Sequence, residues 1–294
     1  SEEGHLLVLA PPGCGKTEVL AMRASHLLAT GLVRPRRKVL TLTFTNRARD
    51  NIRARLDTQL GESRARRTID VVNFHEFAIR LVHAHGNVVG LSDGVTYPNK
   101  TWMTKALASH TSNWREQRSA REALEEAKRN PLNDEQLLKS LQASGNELAV
   151  AVERERQSAG YLDYGDLLRH GQLILRNERV AEVFREHYDS VLVDEFQDLT
   201  MQEFEIARAV TSANSMYVGD PYQGIFGWVG AAPMGVLREL KDDGYHCIDL
   251  DISFRSSPAV LSVVNALSAV LGAAPLRAAE PDRWKNGGVA YALA

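Results

Sequence analysis

The chain has 294 residues, enough for one large domain or two ordinary ones, and its 44% hydrophobic and 24% charged content suits a globular protein with a sizeable core. The net charge of −2 names no partner, and Cys14 and Cys247 lie far apart without metal-ligand spacing, so neither a disulfide framework nor a zinc site is indicated. No apolar run approaches the ~18 residues of a membrane span, and "HLLVLA" at residues 5 to 10 is too short for a signal peptide, so a cytoplasmic protein without a membrane partner is expected.

In chain order, "HLLVLA" is the first β-type run, and it gives way to "PPGCGKTE" opening a helix. That is the context a phosphate-binding loop requires. Within the loop of Pro12, Gly13, Cys14 and Gly15, the glycines let backbone N–H groups approach a polyphosphate. Lys16 adds a point charge for the β and γ phosphates and Thr17 offers a hydroxyl to Mg²⁺, while Ala10 stands where the general pattern has its first glycine.

The second and third β-type runs, "KVLTLTF" and "TIDVVNF", are interleaved with three basic runs. These are Arg34, Arg36, Arg37 and Lys38; then Arg47, Arg49, Arg53 and Arg55; then Arg64, Arg66 and Arg67. Residues 1 to 86 hold 14 Lys/Arg against 8 Asp/Glu, so this segment is +6 and the remainder −8. Such clustering is the footprint expected for a phosphate backbone, and solvated helix faces would carry the same charge.

The alternation of strand and helix breaks between about residues 87 and 162. There "TWMTKALASH", "NWREQRSAREALEEAKRN", "NDEQLLKSLQAS" and "NELAVAVERERQ" read as four consecutive helices, a helical insertion whose acidity is that of a solvated helix face. Asn133, after Pro131 and before Asp134 and Glu135, marks a helix start.

The fourth β-type run, "SVLVDEF", ends in Asp194 and Glu195. In a phosphoryl-transfer site the first carboxylate can hold Mg²⁺ through its water shell while the second polarises the attacking water. An exposed acidic strand end is the alternative for the pair taken alone. "SMYVGD" and "YHCIDLD" complete six runs, the former leading into a loop with one amide, Gln223, and two aromatics, Phe226 and Trp228. The pattern predicts an α/β fold with a largely parallel sheet, helices on both faces and ligands at the carboxyl ends of the strands.

Taken together, the ordered motifs resemble the superfamily 1A DNA helicases of the UvrD/Rep/PcrA type over nearly the whole chain. Besides the two nucleotide motifs, "TFTNRARDNIRARL" resembles the family's motif Ia, "NFHEF" its motif Ic, "GDPYQGIFGWVGA" motif III and "ISFRSS" motif IV. "YLDYGDLL" resembles the stretch with which the chain re-enters the first motor domain. The resemblance implies a P-loop NTPase, RecA-like domain 1A at 1–86 and 163–250, a helical subdomain 1B at 87–162, and the start of a second motor domain 2A at 251–294.

It also implies roles. Lys16, Thr17, Asp194, Glu195, Gln223 and Arg255 would serve ATP hydrolysis, with Gln223 sensing the γ-phosphate, Arg255 reaching it, and Thr17 and Asp194 on Mg²⁺. Phe254 would stack on adenine where tyrosine is usual, and Glu18 stands where an arginine often packs on that base. Phe44, Thr45, Asn46, His75, Phe226 and Trp228 would face DNA, with Arg47 and Arg53 near its phosphates. The activity implied is ATP-dependent translocation on single-stranded DNA, or unwinding at a junction of single and double strand, with 3′ to 5′ polarity.

Some positions depart from the pattern: Val229 replaces the arginine after the motif III tryptophan, and Ser253 replaces the usual asparagine of motif IV. Motifs V and VI are not found in these residues, so completion by a C-terminal motor domain or a partner subunit is expected. Two other readings stand beside this one. A nucleotide-gated DNA-binding subunit of a repair or defence complex would not unwind by itself. A small-molecule P-loop kinase would leave Phe44, Trp228 and the basic runs unexplained.

Overall fold

The computed structural model describes residues 4–91, 94–99, 101–270 and 272–284. The six β-type runs form strands β1 (His5–Leu9), β2 (Lys38–Thr43), β3 (Ile69–Asn73), β4 (Tyr188–Asp194), β5 (Asn214–Gly219) and β6 (His246–Asp249). They build one sheet in the order β3-β2-β4-β5-β1-β6. Neighbours β2 and β4, β4 and β5, β5 and β1, and β1 and β6 all pair in parallel.

All seven residues of β4 and all six of β5 are buried. Runs as continuously apolar as "VLV" and "MYV" fit a strand covered on both faces, the usual state of a parallel sheet. The register pairs Leu9 with Gly219 and Asp194 with Val218, so the carboxyl ends of β1, β4 and β5 emerge side by side.

The α-helices among the described residues are, in chain order, α1 (Lys16–Ala29), α2 (Asn46–Leu60), α3 (Glu62–Thr68), α4 (Phe74–His85), α5 (Trp102–His110), α6 (Trp114–Lys128), α7 (Asp134–Ala143), α8 (Glu147–Ser158), α9 (Tyr164–Leu175), α10 (Glu178–His187), α11 (Met201–Ala209), α12 (Pro233–Asp242) and α13 (Pro258–Val270). Contacts divide the chain into two compact units, one of Ser1–Val72, His187–Met201 and Thr211–Ala294, the other of Asn73–Glu186 and Gln202–Val210. The segment 87–162 marked out by the sequence is only part of the second unit, which also takes in α4, α9, most of α10 and most of α11.

The first unit is the sheet with its helices. Leu20, Ala21, Ala24 and Leu27 on one face of α1 and Ile52 and Leu56 of α2 pack with Val8, Val39, Leu192, Met216 and Val218. A two-stranded parallel pair, β7 (Ile252–Ser253) and β8 (Arg277–Ala278), lies outside the main sheet and was not legible as strand.

The second unit is helical. Leu107, Ala120, Leu124, Leu137, Leu141, Ala149 and Val152 form a core contributed by α5 to α8. Asn133 caps α7 through a capping box with Gln136, as its place after Pro131 leads one to expect. Next to this core lies an ion network with no counterpart in the sequence reading. Lys128 Nζ is 2.6 Å from Asp163, 2.9 Å from Asp166 and 3.2 Å from Glu153, and Arg156 and Arg169 both reach Asp134 and Asp166.

Candidate nucleotide and nucleic-acid site

At the end of β1 the chain turns through Pro11–Gly15 into α1. Gly13 and Gly15 both adopt φ +83°, a backbone state that side chains disfavour, and Gly15 is the N-cap of α1. A Cβ on Gly13 would stand 2.7 Å from both Arg255 Cβ and Ser253 Oγ, so this loop is closely covered by the segment after β7. Phe254 N–H donates to the Gly13 carbonyl at 2.9 Å, which ties the two together.

Between them opens a cleft of ≈ 480 Å³ lined by residues distant along the chain that the family resemblance assigns to one ATP site: Gly13, Lys16, Thr17, Glu195, Gln223 and Arg255. Pro12, Gly15, Glu18 and Phe254 complete its wall, with Arg55 as an unforeseen member. Arg55 is paired with Glu18, whose second oxygen accepts from Gln59 at 3.0 Å. The acidic residue in the first turn of α1 thus places a guanidinium at the mouth of the cleft. Cys14, by contrast, is buried, and its thiol is pushed up by burial; only its backbone belongs to the loop.

The acidic pair behaves unequally. Glu195 sits in a left-handed backbone conformation (φ 51°) that turns its carboxylate toward Lys16 Nζ, 3.5 Å away. Asp194 stays in the sheet, 2% exposed, and its Oδ1 has no hydrogen-bond partner among the described residues. Burial, then the charge of Glu195, pushes the Asp194 carboxyl up to about 7, against the opposing pull of Lys16. A buried carboxylate oxygen lacking a donor, close behind a phosphate-loop lysine, fits a place that a hydrated divalent cation would complete. No group of three or more His, Cys, Asp or Glu converges on a metal among the described residues, so such a cation would be held chiefly by nucleotide phosphates and water.

The loop after β5 carries the remaining residues. The Asp220 carboxylate accepts from Tyr222 N–H at 3.0 Å and from Gln223 Nε2 at 2.6 Å, which folds the loop back and aims Gln223 into the cleft. A few residues on, Phe226 lies 5.4 Å from Phe44 and 6.4 Å from Trp228, ring centre to ring centre. These three rings form a row, and Trp228 at its end is 79% exposed. Thr45, next to Phe44, caps α2 by accepting from Ala48 N–H at 3.1 Å, and Asn46 begins that helix. Arg53 Nη2 donates to the Val71 carbonyl at 2.6 Å. His75 belongs to the helical unit, where its ring stacks on Tyr164 at 3.5 Å and 15° and burial holds it down at about 4.

A family model, the UvrD/REP helicase N-terminal domain, matches residues 1–243. The chain belongs to this family. Among its curated relatives, an ATP-dependent DNA helicase PcrA of Leuconostoc citreum is 30% identical over 279 residues, covering 90% of this chain and 37% of the relative. A DNA helicase II of Escherichia coli (strain K12) is 31% identical over 278 residues, covering 90% of this chain and 38% of the relative. A probable DNA helicase II homolog of Rickettsia conorii is 27% identical over 289 residues. The chain therefore spans under two fifths of the length of the first two of these relatives.

Membership accounts for the α/β architecture with its parallel sheet. Gln197 and Asp220 escaped the sequence reading, and Arg55 entered it only as a member of a basic run. Gln197 comes directly after "SVLVDEF" and Asp220 stood inside the quoted "GDPYQGIFGWVGA", both without a role, because what they do depends on partners elsewhere in the chain.

Proposed function

We propose that the full-length protein is an ATP-dependent motor on single-stranded DNA, a translocase and helicase of 3′ to 5′ polarity acting in the cytoplasm. The observation that carries this reading is one loop, from Asp220 to Ala231, that puts Gln223 into the nucleotide cleft and Phe226 and Trp228 into a row of aromatic rings. Binding of nucleotide at one end can then alter the grip on DNA at the other.

In this reading the N–H groups of Gly13 to Thr17 and the Lys16 ammonium bind the phosphates of ATP. Mg²⁺ arriving with the nucleotide would neutralise phosphate charge, held by the Thr17 hydroxyl and, through water, by Asp194. Glu195 orients the attacking water and takes up its proton, Gln223 contacts the γ-phosphate, and Arg255 stabilises the charge that grows on it. Phe254 packs on the base, with Glu18 and its partner Arg55 at the rim of the cleft. The DNA bases stack on Phe226, Trp228 and Phe44, contacts that suit any sequence because every base has a π-face. Thr45, Asn46 and Arg47 add polar contacts along the strand.

Residues 1–86 and 163–250 correspond in this scheme to motor domain 1A, 87–162 to subdomain 1B, and 251–294 to the start of 2A. A second motor domain or a partner subunit completes the ATP site. Val229, in place of the arginine usual after the motif III tryptophan, favours a second reading: a nucleotide-gated DNA-binding subunit of a repair or defence complex that does not unwind by itself.

Strand separation decides between the two. On duplexes with a 3′ or a 5′ single-stranded tail, the full-length protein is expected to release the strand only with ATP and Mg²⁺ and only from the 3′-tailed substrate. ATP-dependent DNA binding without release from either substrate would support the gated subunit instead.

A further inference from the structure

Gln197 lies between the two halves of the site, yet none of the roles assigned above uses it. Its side chain is 3% exposed and both ends of its amide are engaged. Asp220 N–H donates to Gln197 Oε1 at 3.0 Å. A backbone N–H can only donate, so the oxygen of the amide must face Asp220, and Nε2 is left to donate to Glu195 Oε2, which it does at 2.7 Å. The amide cannot flip without losing both bonds.

From there the chain of contacts continues in both directions. Glu195 stands by Lys16 in the cleft, while the Asp220 carboxylate receives Gln223 Nε2 on one oxygen and Tyr222 N–H on the other. The space for this link is kept by Gly219, where a Cβ would collide with Gln197 Oε1 and come within 2.6 Å of the Phe196 ring.

The geometry points to Gln197 as a positioning residue for ATP hydrolysis, an amide relay that makes the orientation of Glu195 depend on the conformation of the loop bearing Gln223, Phe226 and Trp228. A shift of that loop on gripping DNA moves Asp220 N–H, and the amide passes the movement to the carboxylate that orients the attacking water. Stimulation of turnover by DNA runs through this bond pair. The inference rests on the motor reading given above and adds to it the path of coupling.

Gln197→Glu tests it. The shape is kept and Asp220 N–H retains an acceptor, but the donor toward Glu195 is gone and two carboxylates face each other. Asp220→Asn loosens the far end of the same path: its backbone N–H still donates to Gln197, but one of the two oxygens that accept from Tyr222 N–H and Gln223 Nε2 becomes an NH₂ group. ATP turnover of the full-length protein is measured with and without oligo-dT, together with the KM for ATP, oligo-dT affinity and thermal stability.

Each variant is expected to lower the ratio of stimulated to basal turnover roughly tenfold or more, as loss of a hydrogen bond to a charged group would. KM for ATP and oligo-dT affinity should stay near those of the wild type, and in Asp220→Asn, which buries no new charge, the melting temperature too, which separates positioning from a merely structural role. The double variant is expected to be no worse than the poorer single one, because both cut one path. Wild-type stimulation retained in full by both variants, or losses that multiply in the double variant, would overturn the relay alone. A wild type whose turnover ignores oligo-dT would overturn the motor reading and the relay with it.

Discussion

His75 shows what a single side chain discloses only in three dimensions. In the sequence it is a lone histidine after a β-type run, whereas in the structure it is stacked on Tyr164 and held neutral by burial, at about 4 against an ordinary 6.5. The sign of the consequence is fixed: as pH falls below 6.5 the unfolded chain binds the proton first, so stability present at neutral pH is lost between about 6.5 and 4. His75→Phe keeps a ring for the stack and cannot take up the proton. It is expected to flatten the acid limb of a plot of unfolding free energy against pH by up to about 3 kcal/mol, and an acid limb as steep as in the wild type would contradict the assignment. Lys16, Asp194 and Glu195 could be singled out in the sequence because each sits within a short local motif with its own chemistry, and of the three Lys16 and Glu195 line the cleft. Gln197 and Arg55 could not, since their partners Asp220 and Glu18 lie 23 and 37 positions away.

Among the elements, all six strands and the four helices of residues 101–158 were readable: strands such as β4 and β5, covered on both faces, need an unbroken apolar run, a helix against a core needs its period, and β6, exposed along its length, was legible from its β-type residues alone. Short pairing such as β7 with β8 leaves no such trace in two residues. The acidic stretch of α6 misled in one respect. Lys128, its last residue, looks like part of a solvated face but is 3% exposed, facing partners from α8, the residue before α9 and α9 itself. Burial works against its charge, yet Asp166, Asp163 and Glu153 outweigh burial and hold the ammonium above its usual range. Removing one member of such a network strands the rest, so Lys128→Met is expected to destabilise the helical unit by about 3–5 kcal/mol. Urea unfolding followed by circular dichroism measures this, and a loss below about 1 kcal/mol, the scale of a surface pair, would show that the network is not acting as one.

At the scale of the whole molecule, the charge division told more than the net charge. The excess of six positive charges lies within residues 1–72, while the rest of the same unit, residues 187–201 and 211–294, carries 12 Asp/Glu against 6 Lys/Arg. In the motor proposed above, nucleotide chemistry would answer to a polyanion held by such basic residues, and phosphate contacts of this kind weaken steeply with salt. The most direct test of that coupling is ATP hydrolysis by the full-length protein and its Lys16→Ala variant, with and without oligo-dT, at low and moderate salt. Wild-type turnover is expected to rise with oligo-dT, more strongly at low salt, and to vanish in Lys16→Ala. Turnover that survives Lys16→Ala, or that is indifferent to oligo-dT at both salt concentrations, would contradict the motor reading.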